Sequence, residues 1–227
     1  MDAGPRMNAA EYERYVIHET VGSVDWDSPE GVDEFRFDRT TGLLSRVSLR
    51  IPEYLEEDRD RALGWLSVDS TPGNLRLIEP KADFHVEPAG ARWSTDRELI
   101  LLRDGPDAPT AADPADRLRV QVAPGLHLLF ADGLLTGWML DAPESRISPS
   151  SGQPSSSPPD PVLAQVLEDY LRLMAFPALD DLMDGEPGFR RSLEELAARI
   201  DVGGGAADRR SALRDCIDDV IKEWYEE

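Results

Sequence analysis

The sequence predicts an α+β protein: an antiparallel β-meander of about six to eight strands, followed by three to four helices. Three observations carry this expectation. Residues up to about 147 alternate apolar and polar positions with the period of a strand. Residues after 160 repeat their apolar positions at helical spacing. Between them, Ser148 to Asp160 reads SPSSGQPSSSPPD, a stretch with almost nothing apolar to bury. The expected organisation is a β-rich domain over 1–147, a Ser/Pro-rich linker over 148–160, and a helical part over 161–227 packed on the sheet.

The elements follow in order. Residues 1–10 read as a loose terminus, and Glu11 to Thr20 suits either a short helix or a strand. A hairpin comes next. Glu34-Phe35-Arg36-Phe37 alternates, Asp38-Arg39-Thr40-Thr41-Gly42 is turn chemistry, and Val47, Leu49 and Ile51 alternate with Ser48 and Arg50. Pro52 ends that strand, and the acidic stretch Glu53 to Leu63 suits a short helix with acids in its first turn. Further strands are expected at Leu75–Ile78, Ala82–Val86, Ala91–Ser94, Glu98–Arg103, Leu118–Val122, Leu126–Phe130 and Leu135–Leu140. Turn signals such as Pro124-Gly125 and Asp132-Gly133 separate them, and Asp104 to Asp116 reads as an exposed loop.

In the helical part, Asp160 is the expected N-cap with Pro161 at the first helical position. Leu163, Val166, Leu167, Tyr170, Leu171 and Met174 form the apolar face. A short helix is expected from Pro177 to Gly185. Ser192 and Glu195 have capping-box spacing, a reading that fails if their helix begins at Gly188. Gly203-Gly204-Gly205 reads as a helix–helix linker. The last helix, Asp208 to Tyr225, aligns Leu213, Ile217, Val220, Ile221 and Trp224 on one side, with Asp215, Asp218, Asp219 and Glu223 on the other.

Charge narrows the function. The 227 residues include 45 Asp and Glu against 24 Lys and Arg, for a formal net charge of -21. Such a chain repels phosphate backbones and anionic membrane surfaces, so neither nucleic acid nor membrane is an expected partner. The excess suits a basic protein partner, imitation of nucleic acid, or simple solubility in an acidic proteome. Only Lys81 and Lys222 are lysines, which leaves almost none for a Schiff base or for phosphate cradling. A single cysteine, Cys216, allows no intramolecular disulfide and reads as a buried thiol beside the last helix's apolar stripe. No secretory pattern opens the chain, and a cytoplasmic protein is expected.

The familiar catalytic signatures do not occur: no nucleophile elbow, Walker loop, Cys-x-x-Cys or His-Glu-x-x-His, and no motif calling for a cofactor. One constellation has chemical content. On a strand, Asp83, His85 and Glu87 share a face, where flanking carboxylates raise the imidazole pKa and suit it to acid–base work or metal ligation. Any half-buried antiparallel strand also displays such polar alternation. His127, in the apolar run Leu126–Phe130, reads as a satisfied core or edge histidine, and the five tryptophans as core anchors. Acids cluster at Glu56-Glu57-Asp58 with Asp60, at Asp180-Asp181 with Asp184 and Glu186, and along the last helix. These residues support a non-catalytic acidic binding protein, an inhibitor, immunity factor or accessory subunit that captures a basic partner. The alternative is a small-molecule or peptide-tailoring enzyme working by acid–base chemistry through Asp83, His85 and Glu87.

Overall fold

The computed structural model describes residues 9–23, 33–79, 84, 86, 89–103, 116–148, 157–201 and 205–226. It is an α+β fold. Helix α1 (Ala9–Arg14) runs into a π-helical turn (Tyr15–Glu19) and then a three-stranded antiparallel sheet, β1 (Thr20–Gly22), β2 (Glu34–Asp38) and β3 (Leu44–Ser48). After α2 (Arg59–Leu66) come β4 (Ser70–Pro72), β5 (Ala91–Ser94), β6 (Glu98–Leu102), β7 (Arg117–Ala123), β8 (Leu126–Ala131) and β9 (Leu134–Asp141). These six form a second sheet in the order β4-β7-β8-β9-β6-β5. β7 and β8 are antiparallel, whereas the short edge strand β4 runs parallel to β7. Helices α3 (Pro161–Leu173), α4 (Ala178–Met183), α5 (Pro187–Ile200) and α6 (Ala207–Tyr225) follow. Two compact units result. The first holds Met1–Pro52, Asp58–Ala91 and Leu101–Trp138, and the second Glu53–Glu57, Arg92–Ile100 and Met139–Glu227.

In the first unit the predicted hairpin forms. Asp38 Oδ1 accepts from the amides of Thr40 and Thr41 at 3.0 and 2.6 Å, which holds its carboxyl below the usual range, and Gly42 takes φ 71°. Alternation predicts one solvated face on β2, yet Glu34, Phe35, Arg36 and Phe37 are all buried. The segment preceding β1, together with β1 itself, supplies the partners. Tyr12 donates to Glu34 at 2.6 Å, while Arg36 donates to Thr20 Oγ1 and to the carbonyls of Gly22 and Val16. Burial next to Glu34 pushes the Tyr12 hydroxyl up to about 12.

Several expected elements are corrected. Leu75–Ile78 is no strand, although the amide of Leu77 and the carbonyl of Leu75 bond Gly42 and Leu44, so the segment pairs only locally. Phe84 and Val86 lie outside any strand, and the rest of Ala82–Val86 is outside the described residues. The helix expected at Glu53–Leu63 starts later, at Arg59, because Asp58 is its N-cap and accepts from the Arg61 amide at 3.0 Å. Ala9 and Ala10, read as part of a loose terminus, open α1. The strands from β5 to β9 fall where expected.

Gly137 shows why one β9 position is glycine. A Cβ there would lie 2.0 Å from the carbonyl oxygen of Leu101. Gly137→Ala is therefore expected to destabilise the protein toward the upper end of the range of about 1–3 kcal/mol seen for overpacked sites. Urea unfolding measures it, and a loss within about 0.5 kcal/mol would mean the strands part there at little cost.

The second unit carries the helical core. Leu163, Val166, Phe189, Leu193, Leu213 and Ile217 are buried together. Asp160 and Pro161 open α3 as predicted, with Asp160 Oδ1 accepting from Val162 and Leu163 at 3.1 and 3.2 Å. Helix α5 begins at Pro187, so Ser192 lies inside it, donates to the carbonyl of Gly188 and caps nothing. Residues 149–156, most of the predicted linker, lie outside the described residues. Its last residue, Asp160, is buried rather than exposed because Arg210 reaches it at 2.6 Å. Arg92 is also buried. It donates to the carbonyls of Leu171 and Met174, and burial pulls its guanidinium down to about 10.

Candidate functional site

Asp83, His85 and Glu87 lie outside the described residues. Of the intervening residues, Phe84 stands edge-on to Phe37 at 5.7 Å. His127 is buried, with Nδ1 3.0 Å from Ser70 Oγ on β4, which fits a satisfied core histidine. Trp65 and Trp138 are buried anchors, whereas Trp224 is 46% exposed. Cys216 is exposed rather than buried. It sits on the flank of α6, where its sulfur lies 3.4 Å from the Tyr170 hydroxyl.

The acidic residues of α6 lie on its outer face, because the apolar stripe of Leu213 and Ile217 turns the opposite face inward. Asp215, Asp218, Asp219 and Glu223 are all exposed. They are not equivalent. Arg214 donates to both carboxylate oxygens of Asp218 at 3.1 Å and also to Asp201 at 2.9 Å, so Asp218 is partly neutralised. Asp215, Asp219 and Glu223 have no ion pair among the described residues.

Folding also brings together acids that are distant in sequence. The Tyr225 hydroxyl, at the end of α6, donates to the carbonyl of Glu186 at 3.1 Å. Burial raises the Tyr225 pKa, and the nearby charges of Glu186 and Asp181 raise it further. The cluster Asp180, Asp181, Asp184 and Glu186, all exposed, therefore borders the carboxyl end of α6. Sequence reading finds the two clusters but not their adjacency, since 39 residues separate Glu186 from Tyr225.

Among the described residues no three His, Cys, Asp or Glu side chains are placed to hold a metal ion. No described helix is long and apolar enough to cross a membrane. The class of protein defined here is an α+β fold whose terminal helix presents an acidic face. Comparison with protein-family models, curated proteins and solved structures finds no match.

Proposed function

We propose that this is a non-catalytic acidic binding protein, of the inhibitor, immunity or accessory-subunit kind, that captures a basic protein partner on the outer face of α6. The observation that carries the reading is the set of unpaired, exposed carboxylates Asp215, Asp219 and Glu223 beside the Asp180–Glu186 cluster. Helix stability does not call for the last of them. A helix's carboxyl end carries partial negative charge, so Glu223 and Glu226 stand where the macrodipole favours cations, at a cost of a few tenths of a kcal/mol each. Met183 in α4 and Trp224 in α6 add exposed apolar area, and both residue types are enriched in the cores of protein interfaces.

Purification of the tagged full chain from its own cells tests the reading. The expected result is a stoichiometric partner with a pI above about 9, whose association slows steeply once salt shortens the Debye length below about 10 Å. An acidic or neutral partner, or an association rate indifferent to salt, would overturn it.

A further inference from the structure

The second unit contains a cavity that the α6 face does not use. It measures about 460 Å³, within the size range of small-molecule sites. The Asp96–Arg97 turn, the residues closing β9, the 3-10 turn Pro143–Arg146 and the start of α3 form its walls. Ala142, Pro159, Pro161 and Ala164 give it apolar surface, and Asp96, Asp141, Glu144 and Asp160 give it carboxylates. Asp160 is already satisfied by Arg210 and by the first amides of α3.

Glu144 is different. It is only 2% exposed, and its carboxylate has no hydrogen bond or ion pair among the described residues. Buried carboxylates are ordinarily paired, because removing the charge from water without a partner is expensive. Arg97 also lines the cavity, but it is exposed and makes no ion pair with Glu144, so the buried acid has no resident counter-charge among the described residues. The acids do not converge on a point as ligands of a metal ion do, and apart from Arg97 the rest of the lining is hydrocarbon. We infer that this cavity receives an aliphatic organic cation, a guanidinium or ammonium group on a hydrocarbon stem, with Glu144 accepting its hydrogen bonds.

The inference does not depend on the α6 face, whose residues are different ones. Titration calorimetry of the full chain with butylguanidinium and with the neutral isostere butylurea tests it. Butylguanidinium is expected to bind saturably, one per chain and around a Kd of about 1 mM, while butylurea does not. Glu144→Gln is expected to weaken butylguanidinium about tenfold or more, the usual effect of losing a charged hydrogen-bond partner. If that variant fails to fold, Ala164→Leu fills the cavity from α3, keeps every charge, and is expected to abolish binding. Two sources share the chemistry. Equal affinity for a peptide with one arginine among glycines assigns the cavity to a protein side chain, and exclusion of that peptide assigns it to a free small molecule. No saturable binding, equal binding of butylurea, or full affinity in both variants would overturn the inference and leave Glu144 served by water alone.

Discussion

Asp160→Ala is expected to lower stability by about 3–5 kcal/mol, the cost of breaking a buried ion pair. Asp160 and Arg210 are each about 7% exposed, and Arg210 Nε and Nη2 approach Asp160 Oδ2 at 2.8 and 2.6 Å. The carboxylate is also the N-cap of α3, a role worth about 1 kcal/mol elsewhere. Without it, Arg210 keeps the carbonyls of Ile200 and Gly205 but remains a buried cation with no counter-charge. Arg210→Ala should cost a similar amount. The double variant should cost clearly less than the two losses added, because the second change removes a charge already stranded. Burial pushes the Asp160 carboxyl up, but the Leu163 amide and the Arg210 guanidinium outweigh it and hold the pKa below the ordinary value. A depressed folded pKa stabilises above the unfolded pKa of about 3.9 and is lost as pH falls through the folded value. The wild-type advantage over Asp160→Ala should therefore shrink below about pH 4. A loss under about 1 kcal/mol in urea unfolding at neutral pH would refute the reading of this pair as a buried clamp.

What the sequence disclosed, and what it did not, divides along local and non-local physics. Asp38–Gly42 and Asp160-Pro161 are read correctly because a turn and a cap are made by neighbouring residues. The strands from β5 to β9 and the stripes of α3, α5 and α6 follow from periodicity. The solvated face expected on β2 is absent because Tyr12, Val16 and Thr20 reach it from up to 22 residues away, and alternation does not encode a covering segment. Arginine abundance, legible only as composition, proves structural. Arg36, Arg92 and Arg210 are buried and spread their donors over backbone carbonyls, which the planar guanidinium fork manages and a lysine ammonium does not. Of the candidate site, the acids of α6 were legible and the pairing of Asp218 by Arg214 was not, although i,i+4 spacing allows it. Glu144 carried no signal in the sequence. Its significance comes from burial and from the cavity it lines.

Replacing Asp215, Asp219 and Glu223 together by Arg is expected to slow association with the basic partner by about 10- to 1,000-fold at low salt, the scale of electrostatic steering. These three carboxylates are exposed and unpaired among the described residues, so their contribution lies in the long-range field rather than in a local bond. Stability should therefore stay within about 0.5 kcal/mol of wild type. Dissociation should change less than association, since exposed charges on a rim act mainly before contact. Asp218→Arg makes an informative contrast. It places a second guanidinium against Arg214 and removes the 3.1 Å pair, so it should perturb the helix locally while adding less to the kinetic effect than any of the unpaired three. Stopped-flow association over a salt series measures both. If the steering model holds, the triple variant's rate should become nearly flat with ionic strength, or rise as salt screens the new repulsion. A triple variant that associates as fast as wild type at low salt would move capture away from α6.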